Sequence, residues 1–353
     1  MSRFFSDKYA ALTPYTPGEQ PQDMQYTKLN TNESPFPPSE KALAYAAANT
    51  RALNLYSDPE SRLLTQKLAD TYGVAFDEVL ATNGSDEILN FAFMAFCDGE
   101  HPAVFPDVTY GFYPVIASLN NVPYEEIPLR DDLTVNADDY CGIGKTIFLA
   151  NPNAPTGIPL PVSEIERIVA SNPDSVVVVD EAYVDFGGES CIPLIHKYGN
   201  LLVTQTFSKA RSMAGGRLGY GIGSAALIAD LNTIKYSTNP YNVNSLTTAV
   251  AIGLLDDPAY TEANCRTIMA NRAYTVDALA KLGFETVPSA ANFIFTRCPN
   301  MEGGALYRAL KERGVLVRHW DKPRIADYLR ITIGTKAQMD VLLNTLKDIL
   351  GGC

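Results

Sequence analysis

Residues 175–183 read SVVVVDEAY and residues 201–207 read LLVTQTF. Apolar runs of this length are typical of strands that are buried on both faces, because helices cover both sides of a parallel sheet. The same alternation of strand and helix patterns recurs in VLATN (79–83) with DEILNFAFMAF (86–96), and in TIFLA (146–150) with SEIERIVA (163–170). We therefore expect an α/β fold built on a large, doubly wound, mostly parallel sheet.

The C-terminal part of the chain has a different pattern. Residues 258–282 and 335–350 predict amphipathic helices, which flank short strand patterns at NFIFTR (292–297), VLVR (315–318) and YLRITIG (328–334). Helices and short strands in this order predict a second, smaller α+β unit.

These patterns predict how the chain divides into domains. We expect residues 46–245 to form the large domain and residues 246–353 to form the small one. Residues 1–45 are rich in Pro, Thr and Asn, so they are expected to form an irregular arm that completes part of the small domain. A ligand site is expected in the cleft between the two domains.

Composition excludes several classes of function. The chain has 28 Lys and Arg against 40 Asp and Glu, a net charge of -12, which is the wrong sign for a nucleic-acid-binding protein. Six cysteines without a CxxC pair and three histidines predict reduced thiols and no metal site. The sequence shows neither a signal peptide nor an apolar run of roughly 20 residues, so we expect a cytoplasmic protein without a membrane partner.

The stretch TQTFSKARSMAGGRLGYG (204–221) gathers groups that suit a phosphate ester. A strand delivers Thr206, Ser208 and Lys209 to its end, and Arg217 follows a pair of glycines. The hydroxyls donate hydrogen bonds, and the guanidinium can form a bidentate pair with a phosphate. A lysine after a strand is usually a solvated surface residue, so this motif needs partners elsewhere in the chain.

One such partner is the carboxylate that ends the apolar strand in VVVVDEAYVDF (176–186). A buried Asp180 is unfavourable unless it is paired. The protonated ring nitrogen of pyridoxal 5'-phosphate (PLP) would supply the pair, and Tyr183 would then hydrogen-bond the ring oxygen of the same cofactor. The alternative is an acidic strand end that faces solvent.

Other segments could complete such a site. In NGSDE, Gly84 permits a turn and Ser85 begins a helix whose N-terminus favours an anion, although simple helix capping explains the same letters. Tyr110 could stack on a planar ring or belong to the core. Arg330 lies within a short apolar strand, where a guanidinium needs an anion: a structural acid, or a carboxylate or phosphate of the substrate.

These motifs together resemble a known family. NGSDE, TYGFY, NPNAPTG, DEAYVDF, TFSKA, GGRLGYG and LRITIGT occur in this order along nearly the whole chain, as in the fold-type I PLP-dependent aminotransferases. LTPYTPGEQP (12–21), KLNTNESPFPPS (28–39) and LYSDPES (55–61) resemble, within that family, the histidinol-phosphate aminotransferases. The resemblance implies a large PLP-binding domain and a small domain.

The resemblance also implies roles for individual residues. Lys209 would carry PLP as a Schiff base, Asp180 would face its ring nitrogen and Tyr183 its ring oxygen. The remaining cofactor contacts would come from Tyr110 by stacking, from Gly84, Ser85, the Asp86 amide, Thr206, Ser208 and Arg217 around the phosphate, and from Tyr56 of a partner subunit, which requires a homodimer with shared active sites. Substrate anions would meet Arg330, with Tyr15, Asn32 and Arg318 nearby.

One position departs from the family pattern. Relatives commonly carry NNPTG, whereas here Ala154 precedes Pro155, so the usual asparagine bond to the ring oxygen cannot come from that position. We expect Asn153 either to replace it or to leave Tyr183 as the one residue that polarises the ring oxygen.

The resemblance implies transamination of L-histidinol phosphate with 2-oxoglutarate, a step of histidine biosynthesis. Threonine-phosphate decarboxylase and aromatic amino-acid aminotransferase are the alternatives within PLP enzymes. A PLP-binding regulator is disfavoured because the chain has no residues left for a DNA-binding domain. A nucleotide-dependent dehydrogenase is disfavoured because no GxGxxG turn opens the first βα unit.

Overall fold

A computed structural model describes residues 2–49 and 52–351 of the chain. Its strands are β1 (Thr27–Lys28), β2 (Val79–Thr82), β3 (Ala103–Pro106), β4 (Tyr124–Ile127), β5 (Thr146–Ala150), β6 (Val177–Asp180), β7 (Leu201–Thr206), β8 (Gly219–Gly223), β9 (Glu285–Thr286), β10 (Phe293–Arg297), β11 (Val315–Leu316), β12 (Arg318–His319) and β13 (Tyr328–Thr332). Its α-helices are α1 (Glu40–Asn49), α2 (Arg62–Tyr72), α3 (Ser85–Phe96), α4 (Tyr113–Leu119), α5 (Val162–Ser171), α6 (Ala225–Thr238), α7 (Ser245–Leu255), α8 (Pro258–Lys281), α9 (Gly303–Glu312) and α10 (Lys336–Gly351).

A seven-stranded sheet forms the centre of the larger unit, with the strand order β2-β8-β7-β6-β5-β3-β4. Strand β8 runs antiparallel to both of its neighbours, β2 and β7. The other neighbouring strands pair in parallel. The expectation of a mostly parallel sheet is therefore confirmed, and the carboxyl ends of β5, β6 and β7 meet at one edge.

The central strands are apolar throughout because helices cover both faces of the sheet. Val177 and Val179 join the core cluster that includes residues of α2, α5 and α7. Val178, between them, joins the cluster on the opposite face, which includes residues of α3, α4 and α6. All three valines are fully buried. Because each buried valine stabilises the fold by roughly 1.5–3 kcal/mol, these runs specify the layered architecture strongly.

A second sheet has the order β12-β13-β10-β9, and all of its pairs are antiparallel. The N-terminal arm joins this unit through β1, which pairs in parallel with β11. Leu29, next to β1, lies in the same core cluster as residues of α8, α9 and α10. The predicted α+β unit and its C-terminal helices are therefore confirmed.

Helix α7 bears on the predicted domain boundary. Val243, Ala251 and Leu254 belong to the core of the seven-stranded sheet rather than to that of the second sheet, and α7 packs on α1 and α2. We therefore propose that the large domain extends through α7, to about residue 257, instead of ending at residue 245. The rest of the predicted division stays a prediction.

Three further observations concern the described residues. None of their helices combines the length and apolar character needed to cross a membrane. No three side chains among His, Cys, Asp and Glu converge there in a way that could hold a metal ion. The five cysteines within these ranges are free thiols.

Candidate active site

A cavity of about 280 Å³ lies at the carboxyl ends of β5, β6 and β7. In open α/β sheets, ligands bind at this edge of the strands. Nine of the residues that were predicted from the sequence to form the site line this cavity: Ser85, Asp86, Tyr110, Asp180, Tyr183, Thr206, Ser208, Lys209 and Arg217. The rest of the lining comes from Thr31, Glu33, Ala150, Ala154, Ala182 and Ala214.

Asp180 ends β6 and is buried, with 5% of its surface exposed. The alternative of a solvent-facing acid is therefore wrong. Its carboxylate accepts hydrogen bonds from the hydroxyl of Tyr113 (3.2 Å), the amide of Ala182 (3.3 Å) and the hydroxyl of Thr204 (3.4 Å). These donors are neutral, and burial raises the pKa of Asp180 to about 6. A cation placed beside this carboxylate would therefore be favourable.

Two of those partners were not foreseen from the sequence. Tyr113 begins α4, three residues after Tyr110, and its ring lies edge-on to that of Tyr110 with the ring centres 5.5 Å apart. Thr204 stands directly beside Asp180 in the parallel register of β6 and β7. The short spacing of the two tyrosines in TYGFY could have indicated Tyr113, whereas Thr204 requires knowledge of the register.

Lys209 follows the end of β7 and faces the N-terminal arm. Its Nζ donates to the carbonyl of Thr31 at 3.2 Å and lies 5.7 Å from the centre of the Tyr183 ring. Tyr183 is 9% exposed, and its hydroxyl accepts a hydrogen bond from the amide of Asn32 at 3.0 Å. Amine, hydroxyl and the Asp180 carboxylate thus converge on one cavity.

The N-terminus of α3 forms another wall. Gly84 has a φ of 81°, so its left-handed backbone suits glycine. A Cβ at Gly219 of β8 would collide with the amide nitrogen of Ser85, which shows how closely strand and helix approach here. Asp86, an acid in the first turn of α3, is balanced: it accepts from the hydroxyl of Tyr110 (2.8 Å) and from Arg217 (3.2 Å).

These groups fit PLP. Amides at the start of a helix, the hydroxyls of Ser85, Thr206 and Ser208, and the guanidinium of Arg217 form a donor set that suits a phosphate ester. The buried carboxylate of Asp180 needs a cation, which a protonated ring nitrogen would provide. The amine of Lys209 is close enough to the same cavity to bond to an aldehyde.

Arg330, on β13, is partly buried and lacks an acidic partner in the described contacts. Its Nη2 donates to the carbonyl of Asn30 at 2.8 Å, and its Nε has no hydrogen-bond partner among the described residues. The guanidinium carbon lies 5.4 Å from the ring centre of Phe293 and 5.1 Å from that of Trp320. Burial lowers the pKa of Arg330. These contacts favour an incoming anion over a structural acid.

The arm residues lie close to this arginine. Arg318 donates to the carbonyls of Pro17 (3.1 Å) and Thr16 (2.9 Å), so it holds the arm in place. Tyr15 packs edge-on against Phe112, with the ring centres 5.3 Å apart. Their predicted contacts with substrate stay predictions.

Asn153 and Tyr56, which were both predicted to contact the cofactor, do not line the cavity. The side chain of Asn153 is 2% exposed and is held by Thr109, the carbonyl of Val108 (2.9 Å) and Thr156 (3.1 Å). Ala154 lines the cavity instead, so the expectation that Asn153 replaces the missing asparagine is corrected: its amide is already committed to the loop. Tyr56 is 83% exposed and stacks on Tyr241.

Comparisons with known proteins agree with this geometry. Residues 25–346 match the family model described as aminotransferase class I and II. The chain belongs to the class I and II aminotransferases. It is 48% identical to histidinol-phosphate aminotransferase 2 of Dechloromonas aromatica, covering 99% of this chain and 100% of that protein. It is 47% identical to histidinol-phosphate aminotransferase 1 of Burkholderia pseudomallei, covering 99% of each.

A solved aminotransferase supports the fold assignment. The histidinol-phosphate aminotransferase of Sinorhizobium meliloti, determined in complex with pyridoxal-5'-phosphate, superposes with a TM-score of 0.84 at 22% identity, covering 93% of this chain and 92% of that one. The fold is therefore that of the fold-type I aminotransferases. As a member of this aminotransferase family, the enzyme uses PLP as its cofactor.

Proposed function

We propose that this aminotransferase moves the amino group of L-histidinol phosphate to 2-oxoglutarate, giving imidazole-acetol phosphate and L-glutamate in histidine biosynthesis. The names and full-length similarity of its relatives support this reaction. The structural observation that carries it is Arg330, a partly buried arginine whose buried Nε lacks a hydrogen-bond partner among the described residues. Both substrates bring an anion: a phosphate in the first half-reaction and a carboxylate in the second.

When bound, PLP supplies an electron sink that stabilises negative charge on the substrate's α-carbon. Asp180 would keep the ring nitrogen protonated, because the pair relieves the cost of burying its carboxylate. Lys209 would hold the cofactor covalently. Once the substrate amine has displaced it, Lys209 would take the proton from the α-carbon and return one to complete the transfer.

The phosphate of the cofactor would be held by Ser85, Thr206, Ser208 and Arg217, and by the amide of Asp86. Tyr110 would stack on the ring, since its hydroxyl is anchored by Asp86 at the rim of the cavity. The Asp86 carboxylate would then position both Tyr110 and Arg217. The guanidinium of Arg217 balances the charge of this carboxylate.

The exposed position of Tyr56 supports a homodimer with shared sites. Tyr56 lies beside Leu53 and Leu55, which are 60% and 67% exposed. A group of exposed apolar side chains on the surface of a protein marks a site of contact with another molecule. We propose that a second copy covers this surface and receives Tyr56 at its own phosphate site. We also propose a cytosolic location, where free thiols persist.

Mixing two variants tests the shared site. In a hybrid of Tyr56→Phe with Lys209→Ala, one site would combine an intact Lys209 with an intact Tyr56 from the other chain. That site should bind PLP about tenfold more tightly than sites of the Tyr56→Phe homodimer, because one charge-assisted hydrogen bond is restored. Equal affinity in hybrid and homodimer, measured by PLP titration, would place Tyr56 in its own chain's site or outside any site.

Arg330→Lys should weaken both substrates selectively. Lysine keeps the charge but loses the fork that binds a phosphate or carboxylate through two parallel hydrogen bonds. We expect the KM values for histidinol phosphate and 2-oxoglutarate to rise roughly 10- to 100-fold, corresponding to about 1.5–3 kcal/mol per charged contact, while the affinity for PLP stays the same. Unchanged KM values for either substrate would contradict this role.

The reaction itself is tested with the purified enzyme, histidinol phosphate and 2-oxoglutarate, with glutamate formation as the signal. Threonine phosphate and phenylalanine are run alongside. Preferred use of histidinol phosphate supports the proposal. Release of carbon dioxide from threonine phosphate, or faster turnover of phenylalanine, would replace it by one of the two alternative activities.

A further inference from the structure

Asn32, in the N-terminal arm, contacts the hydroxyl of Tyr183. It is 1% exposed, and its φ of 57° lies in the left-handed region that asparagine tolerates better than most residues. Its Nδ2 lies 3.0 Å from the Tyr183 hydroxyl. The side chain, expected from the sequence to bind substrate, is therefore directed at the residue that faces the ring oxygen of the cofactor.

Neighbouring groups fix the orientation of this amide. The hydroxyl oxygen of Thr332 accepts a hydrogen bond from the backbone N–H of Asn32 at 2.9 Å. The same hydroxyl donates its own hydrogen bond to Oδ1 of Asn32 at 3.0 Å. The amide of Asn292 donates to the Asn32 carbonyl at 2.9 Å. Because Oδ1 already accepts a hydrogen bond from the Thr332 hydroxyl, the NH₂ group is the one that faces Tyr183.

We propose that Asn32 is a positioning residue for the cofactor, which by donating to the Tyr183 hydroxyl directs the proton of that hydroxyl to the ring oxygen of PLP. The inference rests on the proposed roles of Lys209 and Tyr183. A hydroxyl that accepts one hydrogen bond becomes a stronger donor in the next, since chained hydrogen bonds polarise one another. Asn32 thereby acts on the ring oxygen through Tyr183, without touching it.

The composition of the cavity explains why this contact matters here. The position from which related enzymes commonly supply an asparagine to the ring oxygen is Ala154, whose methyl group lines the cavity. The amide of Asn153 is bonded to Val108 and Thr156. Tyr183 is therefore the donor that remains in the described part of the chain, and Asn32 is the amide placed to strengthen it.

The sign of the effect follows from charge. The ring oxygen carries negative charge that helps to keep a proton on the nitrogen joining PLP to Lys209. A stronger donor at the ring oxygen disperses that charge, so the proton is lost at lower pH. Removing the Asn32 amide should therefore raise the pH midpoint of the change in visible absorbance of the bound cofactor.

The other titratable groups around the Tyr183 hydroxyl stay constant in the test. Lys209 lies over its ring. Tyr15, Tyr113 and Arg330 interact with it electrostatically, and Asp180 ends the strand that leads to it. None of them is changed in the variants below, so a shifted midpoint reports the loss of the Asn32 contact.

The experiment is a pH titration of cofactor absorbance in the loaded enzyme, arranged as a double-mutant cycle. Asn32→Ala should raise the midpoint by roughly 0.5–1 pH unit, the size of one net hydrogen bond. Asn32→Asp, which has the same shape, should raise it further, because a carboxylate would accept the hydrogen bond of the Tyr183 hydroxyl and draw it away from the ring oxygen. In a Tyr183→Phe background, Asn32→Ala should add less than about 0.3 pH unit.

Two further variants separate this role from general loosening of the fold. Thr332→Val frees the Asn32 amide to rotate and should raise the midpoint by a smaller amount. Asn271→Ala removes another buried asparagine, whose amide bonds the carbonyl of Gly334 at 3.0 Å, and should leave the midpoint in place. A thermal melt of each ligand-free variant identifies any that fails to fold, and Thr332→Val then carries the test.

The outcomes are distinguishable. An unchanged midpoint in Asn32→Ala, or an equal shift with and without the Tyr183 hydroxyl, overturns the role of Asn32 while leaving the proposed reaction intact. Enzyme that binds PLP and titrates as expected, but does not transaminate histidinol phosphate, overturns the proposed substrate and leaves the role of Asn32 standing.

Discussion

Lys209→Ala should lower the rate of transamination by roughly 10⁴-fold or more, because it removes the covalent anchor of PLP and the group that moves the proton of the substrate. Lys209 is the one lysine among the described residues that line the cavity, and Lys28 of the arm is engaged by the carboxylate of Glu33 at 2.6 Å. Single-turnover kinetics with histidinol phosphate measure the loss directly. The phosphate donors are untouched, so the variant should still bind PLP without a covalent bond.

Chemical rescue distinguishes a missing acid/base from a damaged site. Lys209→Ala should regain part of its proton-transfer rate when a small primary amine is added, whereas a misfolded site would not respond. Borohydride treatment should attach PLP to position 209 in the parent enzyme and leave this position unlabelled in the variant. Retention of more than about one hundredth of the parent rate would contradict the proposed role, because general acid/base catalysis alone contributes 10²–10⁴-fold.

The strand-end residues could be foreseen because local order determines where they lie. Asp180 is the last residue of an apolar strand, and Lys209 lies three residues beyond the end of the neighbouring strand. Parallel strands bring their carboxyl ends to one edge, so the sequence alone was sufficient to predict that these groups converge. Thr206 and Ser208 reached the cavity for the same reason.

Side chains in the irregular loop could not be placed in this way. In NPNAPTG, the direction of each side chain depends on the turns of the loop, and Asn153 turns to Thr109 and Val108, away from the cavity. Nothing in the amino-acid sequence distinguishes that orientation from the expected one, in which Asn153 faces the ring oxygen of the cofactor. Thr109 lies 44 positions away in sequence, so its bond to Asn153 follows from tertiary packing rather than from a local pattern.

The charge of Asp86 illustrates a further limit. An acid in the first turn of α3 is compatible with capping or with repulsion of a phosphate. The structure instead pairs it with Arg217, 131 positions further along the chain, and with Tyr110. The assignment of α7 is comparable: its sequence is helical, but whether it packs on the large sheet depends on contacts with α1 and α2.

Asp180→Asn should lower the activity of the enzyme and raise the stability of the protein without PLP. For function, we expect kcat/KM to fall roughly 10²–10³-fold, because the ring nitrogen loses a buried charge partner worth about 3–5 kcal/mol when broken. The neighbouring Glu181→Gln is the matched control: Glu181 is also buried, but it accepts from the amide of Cys191 (2.6 Å), from Ser190 (2.6 Å) and from Gln205 (2.9 Å) instead of lining the cavity. Turnover per bound cofactor in Glu181→Gln should stay within about threefold of the parent.

The same variant should stabilise the protein when PLP is absent. Burial raises the pKa of Asp180 from 3.8 to about 6, so its favourable contribution is complete below pH 3.8 and is lost as the pH rises through 6. Above that pH the ligand-free enzyme holds a buried charge, whereas asparagine stays neutral. The variant should therefore gain roughly 1–3 kcal/mol in the free energy of unfolding at pH 8, and the gain should shrink as the pH falls from 6 toward 4.

Denaturant unfolding of both ligand-free proteins across this pH range measures the difference in the free energy of unfolding. A variant less stable than the parent at pH 8 would mean that the hydrogen bonds of Asp180 to Tyr113 and Thr204 outweigh the cost of its buried charge. Adding PLP should reverse the order, because the ring cation of the cofactor finds a charge partner only in the protein that keeps its carboxylate.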